Sequence, residues 1–174
     1  MIKGGNDMEL KSFKFKHIEN NLVKLFSLIY NNQNINKYIY YLNDDPLNFP
    51  TVPIDLLEEG NFVLGFYDGS ISEIEKIRVF INPISGIFNK HPLSDITYLV
   101  EVVLPSRFSI LHGRGEIRPM RIFDEISQMI DQQKGIGITE AEITRFRSGR
   151  VADTTYCVYS IEISINSSTL KGLR

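Results

Sequence analysis

Hydrophobic residues between His17 and Leu42 recur at spacings of three and four, which is the period of an α-helix. They form two stripes: Ile18, Leu22, Leu25, Phe26 and Ile29, then Ile35, Tyr38, Ile39 and Leu42. An Asn- and Gln-rich cluster at residues 31–34 separates the stripes, and such side chains compete for backbone hydrogen bonds. The pattern predicts two consecutive helices, or one helix with a break, after a flexible N-terminal arm over residues 1–16.

The middle of the chain changes to short apolar runs and to alternation, which indicate β-strands. A short strand is predicted over residues 62–64 and a second over residues 77–82, followed by a loop over residues 83–92. The run at residues 96–104 is apolar on nearly both faces. We therefore expect it to be a central strand that is covered on both sides.

The last third predicts a helix and a β-hairpin. Pro119 suits the first turn of a helix, and the pair Lys134 and Gly135 suits its end. Two β-rich runs follow, over residues 136–146 and 154–165, with a predicted turn at residues 147–153. The tail over residues 166–174 is expected to be frayed.

These elements predict one α+β domain over residues 17–165. Only one helix falls between strands, which argues against a long βαβ alternation. We expect a mixed or antiparallel sheet of four to five strands with the helices packed on one face. The opposite sheet face carries Leu99, Val103 and Tyr156, and we expect part of this apolar surface to be exposed as an interaction site.

Composition narrows the possible functions. With 43% hydrophobic residues, the 174-residue chain can bury a core, so it is not an intrinsically disordered protein. Its formal charge of −2 is unlike that of a polybasic nucleic-acid binder. The single cysteine excludes an internal disulfide and a Cys-rich zinc site. Without an apolar stretch of membrane-spanning length, we expect no membrane partner.

No motif in the sequence carries recognisable catalytic chemistry. The three histidines are scattered, and neither a phosphate-binding loop nor a nucleophile elbow is present. We therefore expect no enzyme activity, no metal and no cofactor. One alternative stays open, a small nucleic-acid-binding or metal-dependent nuclease-like protein. It would use carboxylates such as Glu140 and Glu142, or Asp95 and Glu101, together with Arg114 and Arg118. A lone regulatory module is a third hypothesis.

Two charged segments are candidate binding surfaces. Residues 44–75 contain eight acidic residues and no Lys or Arg, so they could attract a basic surface. The segment with His112, Arg114 and Arg118 is basic and leads into a helix N-terminus, where anions bind readily. We expect a flexible loop here. Contact with an anion is one alternative, a loop that only links a strand to a helix is a second, and a structural Arg118 that closes on a nearby carboxylate is a third.

The ordered combination of these elements resembles the tail-terminator and neck (head–tail connector) proteins of tailed bacteriophages. The resemblance spans about residues 17–165. It is carried by residues 38–47 (YIYYLNDDPL), the strand at 96–104, residues 115–126 (GEIRPMRIFDEI) and the closing hairpin with 156–165.

The resemblance implies a non-catalytic subunit that forms a homo-oligomeric ring in the virion, at the head–tail junction, after assembly in the host cytoplasm. Other neck and tail proteins would be its partners. The loop with His112, Arg114 and Arg118 is our candidate for a segment that lines the lumen or contacts an anion, where a passing contact with DNA is one option. A head-to-tail ring needs two complementary patches on each subunit. We predict that acidic and basic residues supply them: Asp55, Glu58, Glu59, Arg145, Arg147 and Arg150.

Overall fold

The computed structural model describes residues 6–57, 60–65, 75–88, 94–132, 140–150 and 155–166. The helices and strands, in chain order, are α1 (Asn6–Asn31), α2 (Gln33–Tyr40), β1 (Phe62–Leu64), β2 (Arg78–Phe88), β3 (Ser94–Pro105), β4 (Ile110–Leu111), β5 (Glu116–Ile117), α3 (Arg118–Gln132), β6 (Glu140–Arg150) and β7 (Tyr156–Asn166). Short 3₁₀ turns lie at Pro46–Asn48, Ile54–Leu56 and Ser106–Phe108.

The predicted interruption between the first two helices is confirmed. Asn32 is the N-cap of α2, and its side-chain oxygen accepts a hydrogen bond from the Ile35 N–H at 3.0 Å. The predicted boundary at residue 17 is not an element boundary, because α1 begins at Asn6. Neither glycine nor proline occurs from Asn6 to Asn31, so nothing in the sequence stops the helix within this range.

Five strands form one mixed sheet in the order β1-β2-β3-β7-β6. β1 runs parallel to β2, and every other neighbouring pair is antiparallel. The predicted fold class is confirmed, and the apolar strand β3 is the central one. β4 and β5 form a separate two-stranded sheet.

Two predicted loop regions are partly strand. β2 continues through Pro83 to Phe88, with a register shift between Pro83 and Ser85, so the loop prediction for residues 83–92 is wrong over 83–88. Proline has no N–H to donate, and an irregular position in the ladder accommodates it. β6 likewise continues to Arg150, so the turn prediction is wrong for residues 147–150.

The core lies between the helices and one side of the sheet, which we call the helix face. Leu25, Ile39 and Ile126 from the three helices are buried in one cluster with Val100 and Ile161 of the sheet. Helix packing on one face is therefore confirmed. No helix within the described residues is long and apolar enough to cross a membrane.

The opposite sheet face is less exposed than the sequence suggested. Val103 and Tyr156 are buried and form a small cluster with Phe80, while Leu99 is only partly buried. The expectation of an exposed apolar surface at Val103 and Tyr156 is therefore wrong, because neighbouring apolar side chains cover both residues.

Candidate functional site

The basic segment between β4 and α3 is a tight hairpin. The backbone N–H groups of Arg114 and Gly115 both donate to the Leu111 carbonyl, at 3.0 and 2.9 Å. Gly115 has φ +66°, a left-handed conformation that glycine adopts without steric penalty. The expectation of a flexible loop is wrong here, since the turn closes on its own backbone.

Two aspartates at the start of the acidic segment hold this hairpin. The Asp44 carboxylate accepts the His112 N–H at 3.1 Å, and Asp45 forms an ion pair with Arg114 at 2.6 Å. The Asp45 and Arg114 side chains are 40% and 42% exposed, so the pair contributes only about 0.2–1 kcal/mol. Part of the positive charge predicted to contact an anion is thus already balanced within the chain.

Arg118, the third residue of the predicted anion-contact loop, is 1% exposed. Its guanidinium donates to backbone carbonyls only. Nε reaches the Phe108 oxygen at 2.9 Å, Nη1 the Tyr38 and Tyr41 oxygens at 2.9 and 2.8 Å, and Nη2 the Asn43 oxygen. The prediction that Arg118 contacts a lumen or an anion is therefore wrong, because its donors are directed into the protein.

The physical effect of Arg118 is to cap α2 from outside the helix. The last carbonyls of a helix have no intrahelical partner, and a cation at that end is also favoured by the helix dipole. Burial lowers the pKa of Arg118 to about 10, with nearby Asp44 acting in the opposite direction, so the side chain is a cation at neutral pH. Arg118 thereby joins residues 38–47 to residues 115–126, two of the segments that carried the resemblance.

Arg145 and Arg147 lie on β6 and share one carboxylate. Glu162 on β7 is 3.5 Å from Arg145 and 3.2 Å from Arg147, and its side chain is only 16% exposed. All three side chains lie on the sheet face opposite the helices, because Arg145 pairs with Glu162 and Arg147 with Ser160. Two of the three predicted interface arginines are therefore balanced in part within their own chain.

Arg150, at the end of β6, lies on the helix face and lines a cleft of about 420 Å³. We call this the Arg150 cleft, defined by its lining residues: Ser106, Ser109, Ile110, Ser148, Gly149, Arg150, Cys157 and Tyr159. The Cys157 thiol is buried at its base, 3.2 Å from the Ser106 hydroxyl. Burial raises the pKa of Tyr159, whereas the Arg150 guanidinium acts in the opposite direction.

Among the predicted acidic interface residues, Asp55 lies in the exposed 3₁₀ turn Ile54–Leu56. Glu58 and Glu59 lie outside the described residues. Leu56 lines a second, smaller cavity together with Asn61, the residue before β1. Asp55 therefore lies on the β1 side of the molecule, whereas Arg145, Arg147 and Arg150 lie on β6 at the opposite edge of the sheet.

The predicted residues thus occupy three separate places: the hairpin before α3, the β6 edge and the β1 side. Sequence reasoning missed the role of Arg118 as a cap, and it missed Glu162 as the shared carboxylate. The signal for Glu162 was its position in the second strand of a predicted hairpin, but the sequence pattern did not indicate which residues of the first strand it would pair with. Within the described residues, no three Asp, Glu, His or Cys side chains are grouped as metal ligands.

Comparison with known proteins gives one match at the level of families. The model of the YomW family, which is of phage origin, matches residues 32–165, well over half of the chain. The match includes α2, both sheets and α3. No curated protein matches the chain.

Proposed function

The chain belongs to the YomW family, which is of phage origin, and on this premise we propose that it is a structural virion protein of a phage that forms a ring at the head–tail junction. It joins head and tail through protein–protein contacts, as a tail terminator or a neck protein. Its partners are copies of itself and other neck and tail proteins. It is assembled in the host cytoplasm and acts in the virion, without catalysis.

One observation carries this proposal, the separation of the acidic segment that flanks β1 from the three arginines in the second half of β6. The strand order places β1 at one edge and β6 at the other. The chain on both sides of β1 belongs to the acidic stretch of residues 44–75, while β6 carries Glu140 and Glu142 in its first half and Arg145, Arg147 and Arg150 in its second half. A subunit with complementary patches on opposite sides associates head to tail, and a head-to-tail contact that closes produces a ring.

The alternative of a nucleic-acid-binding or nuclease-like protein has no comparable support. Arg118, which that hypothesis needs at the surface, is buried and donates to four carbonyls. Arg114 remains accessible but is paired with Asp45. A passing contact of DNA with the hairpin of His112 and Arg114 stays a minor part of the ring proposal.

The proposal is tested by the mass of the purified protein in solution, measured by light scattering and native mass spectrometry at low and high ionic strength. We expect an oligomer that electron microscopy shows as a ring and that dissociates as salt rises, because screening weakens charge complementarity. Replacing Arg147 and Arg150 with Gln should reduce assembly most strongly at low salt. A monomer under every condition, with magnesium-dependent DNA cleavage, would overturn the proposal.

A further inference from the structure

The turn Ile54–Leu56 is rigidly held although its side chains are exposed, and we call it the acidic knob. Val52 and Leu57, on either side of it, are 1% and 4% exposed and belong to the core. The Gln33 side chain fixes Val52 from both sides, accepting its N–H at 3.0 Å and donating to its carbonyl at 3.2 Å. The backbone of the knob is therefore presented in a fixed position.

The side chains of the knob combine one carboxylate with two apolar groups. Ile54 and Leu56 are 44% and 46% exposed, and Asp55 between them is exposed as well. Two apolar side chains next to each other on a rigid turn gain free energy when a second surface covers them. The carboxylate restricts that surface to one that offers a cation or hydrogen-bond donors.

The Arg150 cleft offers such a surface. Its lining includes Arg150 as a cation and Ile110, itself exposed, as an apolar wall. No acidic residue lines it within the described part of the chain. Its volume of about 420 Å³ lies in the range of roughly 300–1,000 Å³ typical of binding pockets.

Within one subunit, the knob and the cleft cannot meet. They lie at opposite edges of a five-stranded sheet, and four inter-strand steps of about 4.8 Å place the edges roughly 19 Å apart. The knob and the cleft do lie at the same end of the sheet. On the knob side, Asn61 comes just before β1, at the end where β2 begins. On the cleft side, Arg150 pairs with Cys157, at the end where β7 begins. Both are also on the helix face, because Leu56 of the knob lines a cavity with Ile39 and Tyr40 of α2, and Arg150 pairs with the core residue Cys157.

From this geometry we propose that the acidic knob of one copy inserts into the Arg150 cleft of the next copy, with Asp55 bound to Arg150. The inference rests on the proposed ring and names the contact that closes it. When the β1 edge of one copy lies beside the β6 edge of the next, the knob of the first copy is level with the cleft of the second. Neither copy needs to be displaced along the strand direction. Such a contact repeats without a rise along the strands, as a closed ring requires.

Arg150 is favoured over the other arginines of β6 for two reasons. Arg145 and Arg147 lie on the opposite sheet face and already share Glu162. Arg150 is directed to the same face as the knob and lies beside Ile110, so one contact buries the charge pair together with apolar surface. Salt screens the attraction between the two charges, as the salt dependence expected of the ring requires.

Reversing the charge of Asp55 or of Arg150 tests the proposed contact between them. The variants Asp55→Arg and Arg150→Asp should each fold normally, since both side chains are exposed, but should fail to assemble because like charges meet at the contact. The dissociation constant of the subunit contact should rise by roughly 30-fold or more in each. Circular dichroism and urea unfolding verify the fold of each variant.

Mixing the two variants in equal amounts should restore assembly. In the mixture, each knob meets a cleft of opposite charge as long as the two variants alternate, and native mass spectrometry should show oligomers that contain both in equal number. Glu19→Arg and Lys16→Asp serve as matched controls, because they reverse exposed charges on α1, away from both surfaces. Neither control should change the oligomeric mass.

The possible outcomes separate this inference from the proposed function. If the wild-type chain forms rings and both single variants also form them with unchanged affinity, the contact is wrong while the ring stands. If both variants fail and the mixture does not recover, Asp55 and Arg150 do not meet each other, and the inference is overturned. A wild-type chain that never assembles overturns both.

Discussion

Arg118 and Arg150 show how one side-chain type is used in two different ways in this molecule. Arg118 is buried and donates to carbonyls of Tyr38, Tyr41, Asn43 and Phe108. Arg150 lies at the end of an edge strand and lines a cleft in which no described residue supplies a carboxylate. The first arginine completes the fold of its own chain, and the second is available to another.

The comparison shows why charge by itself does not identify a binding residue. A buried cation is tolerated only where acceptors replace its hydration shell, and backbone carbonyls at the end of α2 do so for Arg118. In the sequence, both arginines simply belong to basic segments. Their roles differ because of what the tertiary structure places around each guanidinium.

The largest effect is expected from Arg118→Ala. Its loss leaves buried carbonyls without donors, and we expect the free energy of unfolding to fall by about 3 kcal/mol or more. Arg118→Lys keeps a cation but not the planar arrangement of five donors. Its free energy of unfolding should therefore lie between those of the wild-type protein and of the alanine variant. Urea unfolding measures both, and a loss below about 1 kcal/mol for the alanine variant would show that water replaces the guanidinium.

A smaller effect on stability is expected at Glu101, whose side chain is only partly buried. Burial raises the pKa of Glu101. As pH rises from the ordinary glutamate value to this raised value, the unfolded chain ionises first, so the stability of the fold decreases. Glu101→Gln should remove this decrease and stabilise the protein at neutral pH. Unfolding measured from mildly acidic to neutral pH checks it, and identical slopes for the two proteins would contradict it.

Glu162→Gln tests Arg145 and Arg147, which lie between Arg118 and Arg150 in how far their charge is balanced within the chain. The change removes the carboxylate that Arg145 and Arg147 share, but both arginines are exposed and solvated. We expect a loss of stability below about 1 kcal/mol. A loss of several kcal/mol in thermal or urea unfolding would mean that the sheet edge depends on this pair of contacts.

The smallest effect on stability is expected from Arg150→Ala. An exposed side chain that serves another subunit contributes little to its own fold, and we expect a change within about 0.5 kcal/mol. Assembly, measured by light scattering on the same samples, should nevertheless be weakened. The comparison between the two arginines fails if Arg150→Ala unfolds the monomer as strongly as Arg118→Ala does.

Local sequence signals predicted the elements well where a pattern repeats. The two apolar stripes up to Leu42, the Asn- and Gln-rich break at residues 31–34 and the apolar run of β3 all predicted features that the structure contains. The local sequence signals failed where a residue that usually ends a strand lies within one, as Pro83 does in β2. They also failed for the hairpin, because the turn was placed a few residues early and the pattern did not indicate the cross-strand pairs, such as Arg145 with Glu162.

The candidate site was predictable in its charges but not in its arrangement. The sequence identified Asp55 and Arg150 as members of an acidic and a basic group. It could not show that one lies on a rigid exposed turn and the other beside a cleft, since both properties depend on residues distant in the chain. No local pattern indicates that Ile110 and Gln33 shape these surfaces.

The amino-acid sequence by itself determined the α+β class, the central position of β3 and the separation of acidic from basic segments, because periodicity and composition are local properties. Only the tertiary structure decided that Arg118 is internal, that Arg145 and Arg147 share a carboxylate, and that the knob and the cleft lie on one face at opposite edges. Strand order and register set these relations, and they arise from contacts between residues far apart in the chain.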